Sequence, residues 1–393
     1  MVPHLGTSPS QNFCDDSHEF YLEFELFKRF AVFVNGVLAL RKARDIQRLY
    51  LSCGYAHSDP SYAISVSTWV RTAIGPHLEE LRLTLNSNGG QCFVMPRTLF
   101  TCTKLVSLSL CGGIHVQQPS TVHLPSLKVL RMDIESVDSI DTLLSGCPAL
   151  ETLDLSFASQ SLTEFRVPCS LKRMTFAVEN DVGIYLEIDA PGLEYLSITQ
   201  KARFFPCSIR NLQSVVDAYL DVYATGESSN VLINLLQALC GTKSLVLHHL
   251  TTKWLLRAPI LDFPEFHFLL RLEIILPSFN SSFLVNLLQK CHMLQVLEIR
   301  NEREPSPLRS WVQPISVPNC VESHLTFIQF RGYQGFADEL AFAGYILRTG
   351  HVLKTMIINT DIMLDLDLEK KYSVLRKLSI MPRGSSMCQL NFF

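Results

Sequence analysis

Charge is scarce in this chain of 393 residues: charged residues make up 18% against 47% apolar, and 34 Lys+Arg against 37 Asp+Glu leave a formal net charge of −3. A disordered polymer is excluded by that apolar content. A nucleic-acid groove is excluded by the near-neutral balance and the lack of a basic stripe, because phosphate contacts need concentrated positive charge. Long hydrophobic runs are missing as well. The longest, Phe30 to Leu40, is interrupted by Asn35 and Gly36, well short of the roughly 18–20 residues that span a bilayer. The opening MVPHLGTSPSQNF has no basic stretch followed by an apolar one, so an intracellular protein, cytoplasmic or nuclear, with reduced thiols and no membrane partner is expected.

Catalytic and metal-binding signatures are absent too. There is no G-x-S-x-G, no H-E-x-x-H and no C-x-x-C, which removes the common nucleophile elbow and the strongest zinc spacings. Gly241-Thr242-Lys243-Ser244 has Thr where a phosphate loop needs Gly beside the Lys, and Gln237 stands in place of the leading glycine. His248-His249 and the Cys92/Cys102/Cys111 set read as surface or core, and Asp361/Asp365/Asp367/Glu369 as a solvated strand edge rather than an acid–base pair. The sequon at Asn280 carries little weight without a secretory signal. No catalytic residue, no metal and no cofactor are expected.

What is present is a repeated phrase: apolar, two residues, apolar, one residue, apolar. It occurs at Ile46-Leu49-Leu51, Leu78-Leu81-Leu83, Leu105-Leu108-Leu110, Leu127-Leu130-Met132, Leu150-Leu153-Leu155, Leu171-Met174-Phe176 and Leu193-Leu196-Ile198. It returns at Leu269-Leu272-Ile274, Leu294-Leu297-Ile299, Leu325-Ile328-Phe330, Leu353-Met356-Ile358 and Leu375-Leu378-Ile380, with a degraded copy at Thr242-Leu245-Leu247 and a weak one around Leu212 to Val215. The clear consecutive copies begin 21 to 32 residues apart, which is leucine-rich-repeat spacing. The end of each phrase alternates like a half-buried strand. Between phrases, Ser139–Ser145 and Val231–Cys240 read as short helices stopped by left-handed glycines at Gly146 and Gly241.

Cys102, Cys147 and Cys291 each lie six residues before the middle leucine of their phrase, and Cys240 lies five before Leu245. Recurrence with the repeat marks them as small buried apolar residues. Asn three residues after the phrase occurs only at Asn86, and the missing asparagine ladder favours an irregular arc backed by helices. The expected fold is α/β: a solenoid with a curved parallel sheet on its concave face and helices on its convex face.

Strand positions beside the buried leucines face the concave side. The partner-binding candidates are therefore Arg48, Tyr50, Glu80, Arg82, Arg131, Asp154, Arg173, Tyr195, Arg271, Glu273, Glu298 and Gln329, with Lys377 on the last phrase. The set mixes signs and includes Arg and Tyr, the side chains that dominate binding hot spots. Residues 15 to 43 read as a helix, breakable at Asn35-Gly36, that covers the open edge of the stack.

The last 90 or so residues carry an ordered set of landmarks: Trp311-Val312-Gln313-Pro314, Val317-Pro318-Asn319-Cys320-Val321, His324-Leu325, Gly332-Tyr333-Gln334-Gly335, Glu339-Leu340, and a closing Pro382-Arg383 and Cys388. With the Phe30 to Arg41 pattern, this order resembles the plant F-box/leucine-rich-repeat proteins with a C-terminal FBD domain. The resemblance implies that Trp311, Pro314, Pro318, Cys320, His324, Leu325, Gly332, Tyr333, Gly335, Glu339, Pro382, Arg383 and Cys388 are structural. It also implies three parts: a tail and capping helix at 1–45, repeats at 46–304 and an FBD region at 305–393 that continues the arc. Residues 1 to 19 show neither the Leu-Pro-rich helix start nor the Ser-Arg-Arg-Trp-like stretch of an F-box. The family would make the chain a non-catalytic substrate-recognition part of an SCF-type ubiquitin ligase, holding a target protein or peptide and meeting a Skp-type adaptor only where an F-box is present. The alternative is a free-standing protein-interaction module without a ubiquitin link.

Overall fold

The structure is a computed structural model that describes residues 16–40, 46–54, 60–86, 92–117, 121–157, 164–178, 185–203, 207–223, 229–257, 263–302, 304, 311–359 and 368–393. The chain first lays down α1 (Asp16–Leu40), β1 (Arg48–Gly54), α2 (Pro60–Ala73), β2 (Glu80–Asn86), β3 (Phe93–Val94), β4 (Ser107–Val116), β5 (Val129–Val137) and α3 (Ile140–Ser145). The middle holds β6 (Thr152–Phe157), β7 (Glu164–Arg166), β8 (Arg173–Val178), β9 (Tyr185–Asp189), β10 (Tyr195–Arg203), β11 (Cys207–Arg210) and β12 (Asp217–Tyr223). Then come α4 (Ser229–Ala238), β13 (Ser244–Leu247), α5 (His249–Leu255), β14 (Arg271–Leu276), α6 (Ser281–Gln289) and β15 (Val296–Asn301). The end comprises α7 (Asn319–Ser323), β16 (Phe327–Arg331), α8 (Ala337–Thr349), β17 (Thr355–Ile358), α9 (Leu368–Ser379) and β18 (Gln389–Phe392).

Every repeated phrase but the last becomes one strand of a single parallel sheet, ordered β1-β2-β4-β5-β6-β8-β10-β12-β13-β14-β15-β16-β17-β18, with β3 added beside β4. The middle and last apolar residues of a phrase sit on alternate strand positions, so both point behind the sheet; Leu108, Leu130, Met174 and Leu196 are fully buried there. Stacking is what buries them, because one strand and its return cannot cover its own apolar side. The ladder crosses residue 305 without a break, since β15 pairs with β16 in register.

Five details differ from the sequence expectations. Residues 375–380 are not a strand phrase: Leu375 and Leu378 lie in α9, and the last rung is β18, where Leu390 and Phe392 continue Met356 and Ile358. Lys377 therefore sits on a helix and not on the sheet. The weak copy near 212–215 is a full repeat read as Val215-Ala218-Leu220, all buried, with strand β12 between β10 and β13. Ala in the middle position hid it.

In the central repeats the return is a second parallel sheet, β11-β9-β7, rather than helices. Its ends touch α3 and α4, so it fills their place in the backing layer. Gly146 and Gly241 are not left-handed. Gly146 has φ −82°, and a Cβ there would meet Val122 at 2.4 Å, so close packing explains the glycine. At its other end that helix is capped by Ser139, whose hydroxyl accepts from Thr142 N–H at 3.3 Å.

Asn35-Gly36 does not break α1. Asn35 Oδ1 instead accepts a hydrogen bond from Trp69 Nε1 at 2.7 Å, and Phe27 and Phe30 pack on Tyr62 and Trp69, so α1 covers α2 at the start of the stack. Cys102, Cys147 and Cys291 are buried and Cys240 half-buried; burial pushes the Cys147 thiol up to about 12, which makes it an inert packing group. Asn280 is buried because it caps α6, accepting from Phe283 N–H at 3.1 Å. Asp361, Asp365 and Asp367 lie outside the described residues.

Candidate partner-binding face

Strand register turns the sequence candidates into two rows on the open face. One row runs Arg48, Glu80, Ser107, Val129, Thr152, Arg173, Tyr195, Asp217, Ser244, Arg271, Val296, Phe327 and Thr355. The next, two residues on, runs Tyr50, Arg82, Ser109, Arg131, Asp154, Thr175, Ser197, Tyr219, Val246, Glu273, Glu298, Gln329 and Ile357. All twelve candidates fall on these rows, which follows from the period of two in a strand.

At the start of the sheet Tyr50 donates a hydrogen bond to Glu80, which holds the phenol above its ordinary pKa. Arg48 lies 3.8 Å from the same carboxylate, and Arg82 stands over the Tyr50 ring at 5.6 Å. Further along, burial raises the Asp154 pKa against the pull of neighbouring Arg131. Glu273 and Glu298 form the core of an ion-pair lattice. Arg271 reaches Glu298 at 2.7 Å and Glu273 at 3.9 Å, Arg331 reaches Glu298 at 3.5 Å, and Arg300 reaches Glu273 at 4.0 Å. Glu298 is only 8% exposed, so its charge is satisfied within the sheet. Gln329 donates to Asn359 Oδ1 at 2.8 Å.

The centre of the face is aromatic. The Arg173 guanidinium stacks over Tyr195 at 4.3 Å, and Tyr219 lies one strand beyond with its ring 5.6 Å from His248. Burial, reinforced by Asp221, pushes the Tyr219 phenol up to about 12. Among the described residues Arg173 has no carboxylate partner, so its free guanidinium edge faces solvent on top of an aromatic platform. Tyr219, Asp217 and Asp221 were missed in the sequence because Ala218 weakened their repeat, and His248, read as surface or core, is placed beside Tyr219 by the strand after it. The 49-residue gap between the copies starting at 193 and 242 was the one signal that could have found them.

His248 and His249 are engaged with protein carboxylates. His248 Nδ1 is 3.1 Å from Asp221, while His249 contacts Glu302 and, at 3.2 Å, Glu304. Among the described residues no group of three or more His, Cys, Asp or Glu is placed to hold a metal ion. No described helix is long and apolar enough to cross a membrane.

The C-terminal landmarks form one packing unit. Trp311 packs on Phe342 and Tyr345, Pro318 caps α7, and Cys320 and Leu325 are fully buried. Gly332 (φ +77°) and Gly335 (φ +79°) take conformations that suit glycine, bringing the turn after β16 onto Asn301. Glu339, 1% exposed, accepts from Asn301 Nδ2 and from the N–H groups of Gln334, Gly335 and Phe336. Arg383 Nη1 donates to the carbonyl of buried Cys388 at 2.6 Å. Pro314 is half-buried, Pro382 is exposed and Tyr333 is buried.

A parallel strand ladder with an open polar and aromatic face, backed by helices and a smaller sheet, defines a leucine-rich-repeat solenoid. The FBD family model matches residues 313–358, and the leucine-rich-repeat model of the FBD-associated F-box protein At5g56370 matches residues 66–218. FBD-associated F-box protein At5g56380 of Arabidopsis thaliana is 31% identical over 93% of this chain and 86% of its own length. F-box/FBD/LRR-repeat protein At4g26340 from the same plant is 29% identical over 93% and 87%. The chain belongs to the F-box/FBD/LRR-repeat family.

Proposed function

We propose that the open face of the sheet is a non-catalytic receptor surface for a protein or peptide, and that the chain is the substrate-recognition part of an SCF-type ubiquitin ligase. The observation that carries the reading is the Arg173–Tyr195–Tyr219–His248 platform at the centre of two registered rows. Tyr gives large contact area at low entropy cost, and Arg adds directional charged hydrogen bonds. The lattice around Glu298 on one side and the Tyr50–Glu80–Arg82 group on the other are already internally paired, so they hold the rim while the centre binds. Within this reading residues 305–393 form the FBD unit that ends the ladder, and residues 1–45 the capping segment at its start. The protein works inside the cell, without metal or cofactor.

Affinity capture with the full chain tests the receptor half: charge reversal at Arg131 and Arg173 should remove captured partners that the wild type retains. Unchanged capture would overturn it. Co-purification with a Skp-type adaptor tests the ligase half, and no association would reduce the chain to a free-standing interaction module.

A further inference from the structure

A second surface lies away from the two rows. A cleft of about 730 Å³ runs between α2 and the segment around β3, and none of its lining residues belongs to either row. Helix α2 turns Tyr62, Val66, Trp69 and Val70 into the core, which leaves Ile64, Thr68 and Arg71 at helical spacing on the cleft side. Facing them are Val94 and Arg97. Ile64 is 65% exposed and Val94 45% exposed, an unusual solvent position for two β-branched apolar side chains on opposing walls.

The cleft is also lined by two arginines that have no carboxylate partner among the described residues. Among the described residues Arg71 bonds only the Ser67 hydroxyl, at 3.2 Å, and Arg97 only Gln117, at 3.4 Å. One carboxylate, Glu135, stands beside the cleft wall and accepts a hydrogen bond from the Cys92 thiol at 3.2 Å, so the two arginines leave the site with a net positive charge among the described residues. Two guanidinium groups flanking an apolar pair match a ligand of the reverse pattern.

We propose that this cleft docks a short acidic segment of a partner protein, seating an apolar side chain between Ile64 and Val94 with carboxylates on Arg71 and Arg97. The site is independent of the open face and would give the chain a second protein contact, such as one with a regulatory or assembly partner while a target occupies the sheet.

The test uses the full chain and three short dye-labelled synthetic peptides: central leucines flanked by glutamates, the same leucines flanked by lysines, and the same glutamates around serines. The first should bind at least about tenfold more tightly than either control. The double reversal R71E/R97E should weaken it by about tenfold or more, Ile64→Ser should weaken it severalfold, and added salt should weaken it further. Charge reversal at Arg131 and Arg173 should leave it unchanged, which separates this site from the receptor face. Three outcomes would overturn the proposal: no measurable binding, equal binding of the lysine peptide, or insensitivity to R71E/R97E. A self-association of the chain that R71E/R97E abolishes would equally overturn it, by assigning the cleft to a second copy.

Discussion

The side chains of Asn301 and Glu339 meet at 2.9 Å in the interior, joining the end of β15 to the first turn of α8. The other carboxylate oxygen of Glu339 gathers three backbone N–H groups from the Gln334–Phe336 turn, two of them at 2.8 and 2.9 Å. Burial pushes the Glu339 pKa up and these donors pull against it, with burial prevailing. The family order of Gly, Tyr, Gly and Glu is thus a device that closes the turn after β16.

Glu339→Ala leaves those donors unpaired in the core and should destabilise the protein by about 3 kcal/mol, at the upper end for a buried group losing its partners. Denaturant unfolding followed by circular dichroism measures it. A change below about 0.5 kcal/mol would show that water replaces the carboxylate at no cost.

Two glycine substitutions should act in opposite directions. Gly332→Ala would place a Cβ 2.2 Å from the Asn301 carbonyl oxygen at φ +77°, so the turn must move and stability should fall by about 2 kcal/mol or more. Gly36→Ala lies inside α1 with nothing within 4 Å, and should raise stability by about 0.5–1 kcal/mol. Thermal melting of the two variants beside wild type distinguishes the signs.

The His248–Asp221 pair predicts a pH signature. The Asp221 hydrogen bond raises the His248 pKa, against burial and Arg300 and with help from Glu302. Burial pushes Asp221 up, but bonds from His248 and Leu250 N–H outweigh it and hold the carboxyl low. A raised histidine stabilises fully below its unfolded value, about 6.5, and loses that contribution as pH rises through its folded value. A lowered aspartate stabilises above its unfolded value, about 3.9, and loses it as pH falls through its folded value. The stability difference between wild type and His248→Gln should therefore be largest between about pH 4 and 6.5 and shrink above the raised His248 value. A difference that grows toward alkaline pH would contradict the pairing.

The fold was largely legible in the sequence because a buried leucine every second strand position leaves a phrase that survives substitution by Ile, Met, Phe or Val. It failed where one residue broke the phrase. Ala218 still packs behind the sheet, yet it reduced the β12 repeat to a weak copy around Leu212 to Val215, and Tyr219 and Asp221 were not named. Leu375 and Leu378 matched the phrase by chance because helical and strand spacings overlap over a few residues, and α9 is the result. The twelve site candidates share the open face, but spacing alone could not separate Glu298, locked between Arg271 and Arg331, from Arg173, whose guanidinium edge is open. Pairing across strands depends on register, which only the folded ladder supplies.

The most direct test of the receptor face compares proteins captured from plant extract by the wild-type chain with those captured by Arg173→Glu/Tyr195→Ala, with a Lys172→Glu chain as the charge-matched control. Lys172 lies one residue before the row and pairs with half-buried Glu151 at 3.1 Å. The account predicts that a defined set of proteins is retained by wild type and control and lost from the double variant, at unchanged melting temperature. An identical set from all three would contradict it.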